Sequence, residues 1–498
     1  MDAEIEKTEE SNDKLRELAT GDILPMLLKF AWPGLVTMVV HVLYNIVDRV
    51  YIGQGCGSDA IAGLAMTAPF AMALGAFGVL IGAGSSAVLS IKLGEKDMPG
   101  AERTLGQLVA MKLLFGLVVP PLMYFFGIDP ILHLMAEDSV TASAFAFAHQ
   151  YVAITIFFNL FSHLAFGLSA MTRAEGSPRV SMVCMIIGAI ANIILDPVFI
   201  YDSIPVTFWC LPTPLFTIPG LGLKVAGAAW ATNIAMMLSC AAGLFYYWSG
   251  RSVVRLRLRC VRLYRDIAWR VLAIGIAPFL MQLIGSLINF SMNHSFAKWS
   301  ATPEQGTIEI SSFGIYMSLM FLFFMPSMGV QQGLAPIVGY NWGARSFKRV
   351  KRSFDIGLAL TAGATVLASL CAEIFAHPLC RCFTDDPDGV VSATRALRIA
   401  MCGFWSVFIN VAATTYYQSI GRPKTSIILS LLRQCLVLLP IVWVLPYFMD
   451  DKILAIWLAM PISDIVTQIV NLPLVFRERR KLRLAAKGEG PYAKYIGK

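Results

Sequence analysis

Twelve long apolar runs constrain this chain more than any other feature of its 498 residues. They cover residues 26–52, 60–91, 105–127, 145–172, 179–201, 225–249, 267–297, 308–338, 354–376, 391–419, 425–447 and 453–476. A helix needs about 20 residues to cross the hydrocarbon core of a bilayer, and each run reaches that length. Charged residues make up 14% of the chain, against about 25% in soluble proteins. The sequence therefore predicts an all-α integral membrane protein with twelve transmembrane helices.

The loops between the runs alternate between basic and acidic. The most basic one carries arginines from Arg251 to Arg270, and acidic loops contain Asp129, Glu137 and Asp138 or Asp385, Asp386 and Asp388. Basic loops stay on the cytoplasmic side of a membrane. Both termini of this multi-pass membrane protein are therefore predicted to be cytoplasmic. The net charge of +8 follows from this topology, so no nucleic-acid partner is predicted.

The two halves of the chain resemble each other. Gly84, Gly94, Lys96 and Arg103 correspond to Gly333, Gly343, Arg345 and Arg352 at a constant shift of 249 residues. Six helices per half give both halves the same orientation, which is typical of a transporter with a cleft between two pseudo-symmetric lobes. The predicted organisation is a cytoplasmic tail (1–22), an N-lobe (23–250), a linker (251–266), a C-lobe (267–477) and a second cytoplasmic tail (478–498).

Two acidic residues interrupt the apolar runs of the first half, Asp48 in the first run and Asp196 in the fifth. An acid at the centre of a membrane helix costs roughly 2.5–3.5 kcal/mol on insertion scales and is by default a functional-site hypothesis. Asn192 shares a helix face with Asp196, and His41 and Asn45 precede Asp48 at helical spacing. We predict that the two acids meet inside the bundle and bind a proton or cation. The alternative is a structural role, in which polar neighbours hold each acid.

Other polar residues also lie at membrane depth. Arg433 and Asp464 are predicted to form an ion pair inside the C-lobe, with either a structural role or a role in substrate binding or coupling. Candidates to line a cavity are His41, Asn45, Asn159, His163, Gln282 and Asn289.

Several motifs resemble those of multidrug and toxic compound extrusion (MATE) transporters. They are Asn192-x-x-x-Asp196-Pro197, the segment from Gly227 to Thr232, the segment from Gln332 to Ala344, and the lead-in at 18–23 followed by Pro33 and Asp48. The resemblance covers residues 18–480 and is greatest for the bacterial DinF-like branch. It implies a location in the plasma membrane (the bacterial inner membrane).

This resemblance implies a secondary antiporter that exports cationic or amphiphilic organic compounds in exchange for H⁺ or Na⁺ by alternating access. It places the coupling site at Asp48, Asp196, Asn192 and Thr232, and it implies a bend of the first helix at Pro33 when the acid is protonated. The choice between H⁺ and Na⁺ at the two acids stays open. Neither a cofactor nor a structural metal is implied. The expected partners are the bilayer and small organic substrates, with the protein acting as a monomer.

Two other functions compete with this interpretation. A flippase for lipid-linked oligosaccharides or other lipids of the same superfamily would be expected to have a more cationic cleft or additional C-terminal helices. A membrane-embedded enzyme would need a nucleophile, a metal cluster or a paired His–acid motif, and the sequence shows none of these at catalytic spacing. We therefore predict that the protein is not an enzyme.

Overall fold

The computed structural model describes residues 12–126, 128, 142–206, 216–384 and 386–492. The predicted acidic-loop residues Asp129, Glu137, Asp138 and Asp385 lie outside the described residues, as do the ends of both predicted tails. Within the described part of the chain, 12 helices are long and apolar enough to cross a membrane. A helix satisfies its backbone polar groups internally, as a bilayer demands. The predicted all-α class with twelve spans is confirmed.

The first half contains six spanning helices after a short helical segment at 12–20. They are α1 (Ile23–Cys56), α2 (Ser58–Gly94), α3 (Met98–Phe126), α4 (Ala142–Ala174), α5 (Pro178–Ile200) and α6 (Lys224–Trp248). Two short antiparallel strands, β1 (Ser203–Val206) and β2 (Phe216–Pro219), lie between α5 and α6 and pair Ser203 with Pro219.

The second half contains the other six helices. They are α7 (Arg265–Trp299), α8 (Pro303–Gly343), α9 (Phe347–Arg381), α10 (Pro387–Ser419), α11 (Pro423–Tyr447) and α12 (Lys452–Ala485). Three of them are irregular. The backbone of α9 is non-helical at Phe375, with φ −104° and ψ 15°. A 3₁₀ turn (Phe404–Val407) interrupts α10, and a π-helical segment (Leu432–Leu438) interrupts α11. Such π-helical segments are rare and are found frequently at functional sites.

The internal repeat is visible in the turns that end matching helices. Lys96 after α2 and Arg345 after α8 both adopt positive φ angles, 59° and 57°. For a residue other than glycine this costs roughly 1–2 kcal/mol. Gly176 after α4 and Gly421 after α10 repeat a second turn, with φ angles of 94° and 70°. The backbone hydrogen bonds of each pair of turns also match. The two halves therefore share local geometry, as a parallel repeat requires.

The chain divides into two compact units. Unit 1 contains Val36–Leu89, Met98–Trp269 and the described residues up to Leu15, and unit 2 contains Arg16–Leu35, Ser90–Asp97 and the described residues from Arg270 onward. Helix α1 therefore contributes Ile23–Leu35 to unit 2 and the rest of its length to unit 1. The predicted lobe boundaries stay a prediction.

Helices α5 and α6 pack closely against each other in unit 1. A Cβ atom at Gly227 would lie 2.3 Å from the carbonyl oxygen of Phe199, and one at Gly188 would lie 3.0 Å from Cβ of Ser239. Only glycine permits the first approach. Beside this contact, Tyr44 of α1 packs against buried Ala189 and Met236. The three helices α1, α5 and α6 therefore meet around one small apolar cluster.

A buried acid also lies next to α4, outside the spanning helix. Glu175 is fully buried, and its Oε2 atom accepts a hydrogen bond from the backbone N–H of Val254 at 3.3 Å. Burial raises the pKa of Glu175 to about 7, although hydrogen bonds from Tyr246 and Val254 and the charge of Lys14 favour its ionised form. The pKa is thus higher in the folded state than the ordinary value of 4.5. The neutral carboxyl group therefore favours the folded state. Its full contribution to the free energy of unfolding is present below about pH 4.5 and is lost as the pH rises through about 7.

We expect Glu175→Gln to raise the free energy of unfolding at pH 8 by up to about 3 kcal/mol, because glutamine does not ionise. At pH 5 the gain should be much smaller. Thermal unfolding in detergent at the two pH values measures both. Glu304→Gln, at an exposed position, is the matched control. A gain of equal size at pH 5 and pH 8 would contradict the assignment.

Candidate functional site

Asp48 of α1 and Asp196 of α5 meet inside unit 1. Asp48 is 8% exposed and Asp196 is 0% exposed. Their carboxyl groups lie within hydrogen-bonding reach of each other. Two ionised carboxylates that close repel strongly in a medium of low dielectric constant, so the pair favours a shared proton or a bound cation. The structure therefore brings together the two acids on which the sequence analysis depends.

Asn192 and Thr232 complete the polar cluster around Asp196. The Nδ2 atom of Asn192 donates to Oδ1 of Asp196 at 3.0 Å, one helical turn away, and also lies 3.4 Å from Oγ1 of Thr232 on α6. Asn192 is fully buried and Thr232 is half-buried. All four residues of the predicted coupling site are thus neighbours, and α1, α5 and α6 each contribute at least one.

Two tyrosines that the sequence analysis missed belong to the same cluster. Tyr151 of α4 hydrogen-bonds through its side chain to Thr232 and interacts electrostatically with both acids. Tyr44 of α1 also interacts electrostatically with both acids. Tyr44 lies four residues before Asp48, and that helical spacing could have identified it. No comparable signal pointed to Tyr151, because its position depends on how α4 packs.

The cluster has acceptor atoms that are not in use. Oδ1 of Asp48, Oδ2 of Asp196 and Oδ1 of Asn192 are buried and accept no hydrogen bond from a donor among the described residues. Buried polar atoms without a partner are costly and call for an explanation. These three oxygens, two on the acids and one on Asn192, suit either a proton shared by the carboxyls or a small hard cation such as Na⁺.

His41 and Asn45 lie on the approach to this cluster along α1. Nδ2 of Asn45 donates to the carbonyl oxygen of His41 at 2.6 Å, so this amide is bound to its own helix. The ring of His41 makes edge contacts with Tyr44 and Phe166, with centroid distances of 5.0 and 5.7 Å. Its Nδ1 atom is buried without a partner among the described residues. His41 therefore contacts the cluster through Tyr44.

The other predicted lining residues have neighbours of their own. Asn159 is half-buried on α4, and His163, one turn further along, contacts Phe115 of α3 at a ring distance of 5.5 Å. Gln282 and Asn289 belong to α7 in unit 2, where Asn289 is exposed and donates to the carbonyl oxygen of Gly285 at 2.9 Å. Within the described part of the chain, no hydrogen bond or ring contact connects these four directly to the acid pair.

Arg433 and Asp464 contact each other inside unit 2. Nε of Arg433 lies 2.5 Å from Oδ1 of Asp464, and the two side chains are 24% and 2% exposed. Arg433 projects from the π-helical segment of α11, and Tyr316 of α8 interacts electrostatically with both charges. One and two turns beyond Asp464, the buried amides of Gln468 and Asn471 have no partner among the described residues. The ion pair thus begins a polar stripe on α12.

Comparisons with known proteins agree with this architecture. A family model described as MatE matches residues 33–198 and 277–444. The multidrug export protein MepA of Staphylococcus haemolyticus (strain JCSC1435) is 25% identical over 437 residues, which are 87% of this chain and 89% of that protein. MepA of Staphylococcus aureus (strain MSSA476) is 24% identical over 434 residues, which are 87% of this chain and 90% of its own length.

Solved structures are similar over nearly the whole chain. The MATE multidrug transporter DinF-BH in complex with the dye rhodamine 6G is 28% identical, with a TM-score of 0.80 over 92% of this chain and 97% of its own. A MATE structure in the bent conformation is 21% identical, with a TM-score of 0.84 over 95% of this chain and 99% of its own. The family resemblance predicted from the sequence is confirmed.

The buried ion pair of unit 2 leads to a stability prediction. We expect Arg433→Met or Asp464→Leu alone to lower the free energy of unfolding by roughly 3–5 kcal/mol, since each disrupts a buried pair by removing one of its charges. The double variant Arg433→Met/Asp464→Leu should recover most of that loss. Thermal unfolding in detergent is measured for the wild-type protein, the two single variants and the double variant. Arg395→Met, which breaks an exposed pair with Asp451, should cost at most about 1 kcal/mol. Additive losses in the double variant would contradict the pairing.

Proposed function

Because this chain belongs to the MatE family, we propose that it exports cationic or amphiphilic organic compounds in exchange for an inward-moving H⁺ or Na⁺. The contact between Asp48 and Asp196 carries this proposal. The two buried carboxyls form one acidic cluster at membrane depth, and an inorganic cation or an organic cation can neutralise its negative charge. If the site changes sides only when it is occupied, competition for one charge couples two opposite fluxes.

The known relatives support the direction and the type of cargo. The staphylococcal proteins are named multidrug export proteins, and the DinF-BH structure contains rhodamine 6G, an organic cation. Unit 1 supplies surroundings that suit flat cations, since Tyr44 and Tyr151 border the two acids. Aromatic rings attract cations that lie over their faces.

The coupling step follows from electrostatics. With both acids ionised, their repulsion favours an arrangement that admits an organic cation between them. When H⁺ or Na⁺ binds, the net negative charge falls and the organic cation loses its counter-charge. The two ligands thereby stabilise different states of unit 1, which is the condition for any ligand-driven change of conformation. For Na⁺, the oxygens of Asp48, Asp196, Asn192 and Thr232 would be the ligands.

Helix α1 is the element that would respond. Pro33 lies inside this helix. The part of α1 that belongs to unit 2 ends two residues later, at Leu35. Proline removes one backbone hydrogen bond and loosens the helix there. Asp48 lies about four turns away from Pro33. Neutralisation of Asp48 would then change the bend of α1 at Pro33 and rearrange the side chains around the acid pair. Related MATE structures are described in a bent and in a straight conformation.

The proposal also covers location. The twelve apolar helices establish a multi-pass membrane protein. The basic loops at one end of the helices support an orientation with both termini in the cytoplasm, and the staphylococcal relatives support a plasma-membrane position. The protein is proposed to act as a monomer, because a single chain supplies all four residues of the acid cluster.

We expect Asp48→Asn and Asp196→Asn to lower the initial rate of rhodamine 6G transport into proteoliposomes about tenfold or more, because each removes a charge-assisted interaction. The wild-type protein should accumulate this dye against its gradient when a pH gradient or a sodium gradient is imposed. Applying the two gradients separately identifies the coupling ion.

Asp266→Asn, at an exposed aspartate of unit 1, is the matched control and should transport at the wild-type rate. Accumulation by both acid variants at the wild-type rate would refute the coupling site. Equilibration of the dye without accumulation under either gradient would indicate a channel, and chemical change of the dye an enzyme.

We expect Pro33→Ala to make the protein more stable but slower in transport. The alanine restores a backbone hydrogen bond, so the melting temperature should rise, whereas transport of rhodamine 6G should slow because α1 bends less readily. Binding of the dye should remain. Pro278→Ala, at the matching position of α7, tests whether any loss of proline has this effect. Transport at the wild-type rate by Pro33→Ala would argue against a hinge.

A further inference from the structure

A buried lysine and a buried histidine form a second polar cluster in unit 1, separate from the acid pair. Lys112 of α3 is 0% exposed, and its ammonium group donates to the carbonyl oxygen of Gly78 on α2 at 2.7 Å. His163 of α4 is 5% exposed and interacts electrostatically with Lys112. The Nε2 atom of His163 is buried and has no hydrogen-bond partner among the described residues.

The backbone of α2 is shaped to hold both side chains. A Cβ atom at Gly78 would lie 2.3 Å from Nδ1 of His163, so any other residue here would displace the imidazole. The same glycine supplies the acceptor for Lys112. Gly167 of α4 gives room to the lysine stem, since a Cβ there would lie 3.4 Å from Cε of Lys112. Phe115 covers the imidazole edge-on at 5.5 Å. Three helices thus build one small site with apolar walls.

The charge of this site is not balanced by the described part of the protein. An ammonium group has three donors, and among the described residues that of Lys112 hydrogen-bonds only to Gly78. No carboxylate there acts as its charge partner. Lys112 lies 14 residues from the start of α3 at Met98, or about 21 Å along the helix. A cation at such a depth is costly without a counter-charge, so a buried lysine either loses its proton or is paired with an anion. An anionic ligand that reaches Lys112 would supply that counter-charge.

A series of ring contacts leads from the acid pair to α4, the helix that carries His163. Phe166 lies three residues after His163 on α4, and its ring contacts that of His41 at 5.7 Å. His41 contacts Tyr44, which interacts with both acids. From His41 to Asp48 the distance along α1 is about 10 Å. A flat organic molecule could lie along such a path with its two ends at sites of opposite charge.

We propose that Lys112 and His163 bind the anionic group of a zwitterionic substrate whose cationic group binds at Asp48 and Asp196. The ammonium of Lys112 and the Nε2–H tautomer of His163 supply two donors for one carboxylate. This inference rests on the proposed function and narrows it, because it selects compounds with both charges over simple cations.

The test uses two dyes that differ in one group. Rhodamine 6G is an ethyl ester and has only a positive charge, whereas its free acid is a zwitterion. Binding of each dye to the full-length protein in detergent is measured by fluorescence polarisation. The wild-type protein should bind the acid more tightly than the ester. In Lys112→Met this preference should fall about tenfold, which is the value of one charge-assisted hydrogen bond.

His163→Phe keeps the ring but removes the donor, and it should lower the preference several-fold. Gel filtration shows whether Lys112→Met folds. If it does not, His163→Phe alone tests whether the cluster binds the carboxylate. Lys224→Met, at an exposed lysine of α6, should keep the wild-type preference. An unchanged preference in either cluster variant, equal loss of both dyes, or tighter wild-type binding of the ester would overturn the inference while the proposed function stands. If the wild-type protein binds neither dye, the proposed function fails and this inference fails with it.

Discussion

Two carboxyl groups held side by side in an apolar bundle are the constraint on which the rest of this molecule depends. Neither group can keep its charge there without help, because hydrocarbon and protein solvate ions poorly and the two charges repel each other. The close approach of α6 to α5 at Gly227 fixes the amide of Asn192 between Asp196 and Thr232. The bundle thus holds the acids in place and leaves the gain or loss of a cation as the means to relieve their repulsion.

Much of this could be predicted from the sequence, because hydropathy and helical spacing act locally. Twelve spans follow from run length alone, and the shared face of Asn192 and Asp196 follows from a separation of four residues. The matched turns at Lys96 and Arg345 also follow from the repeat. Contacts between helices distant in sequence could not be predicted in this way. Tyr151 reaches Thr232 only because of how α4 and α6 pack, and no periodicity encodes that.

Lys112 is an instructive omission, since it lies in an apolar run as Asp48 and Asp196 do. The rule that selected the two acids applies equally to a base at membrane depth. Gly78 is a small residue within an apolar run, and small residues let membrane helices approach each other closely. The sequence could not show that His163 of α4 and Lys112 of α3 both contact this glycine. The role of a single residue here depends on three helices.

The Arg433–Asp464 pair of unit 2 and the acid pair of unit 1 differ in how their charges are compensated. In unit 2 the guanidinium of Arg433 compensates Asp464 directly, at 2.5 Å, and a closed pair resists any change because removal of either charge leaves the other unpaired. In unit 1 the acids face each other, and the buried base lies elsewhere with no carboxylate beside it among the described residues. Charges that are uncompensated by the protein can be satisfied by ligands, and each ligand then changes the stability of the conformation that holds it. An exchanger needs such a site in at least one unit, and by this criterion unit 1 is the part of the chain suited to exchange.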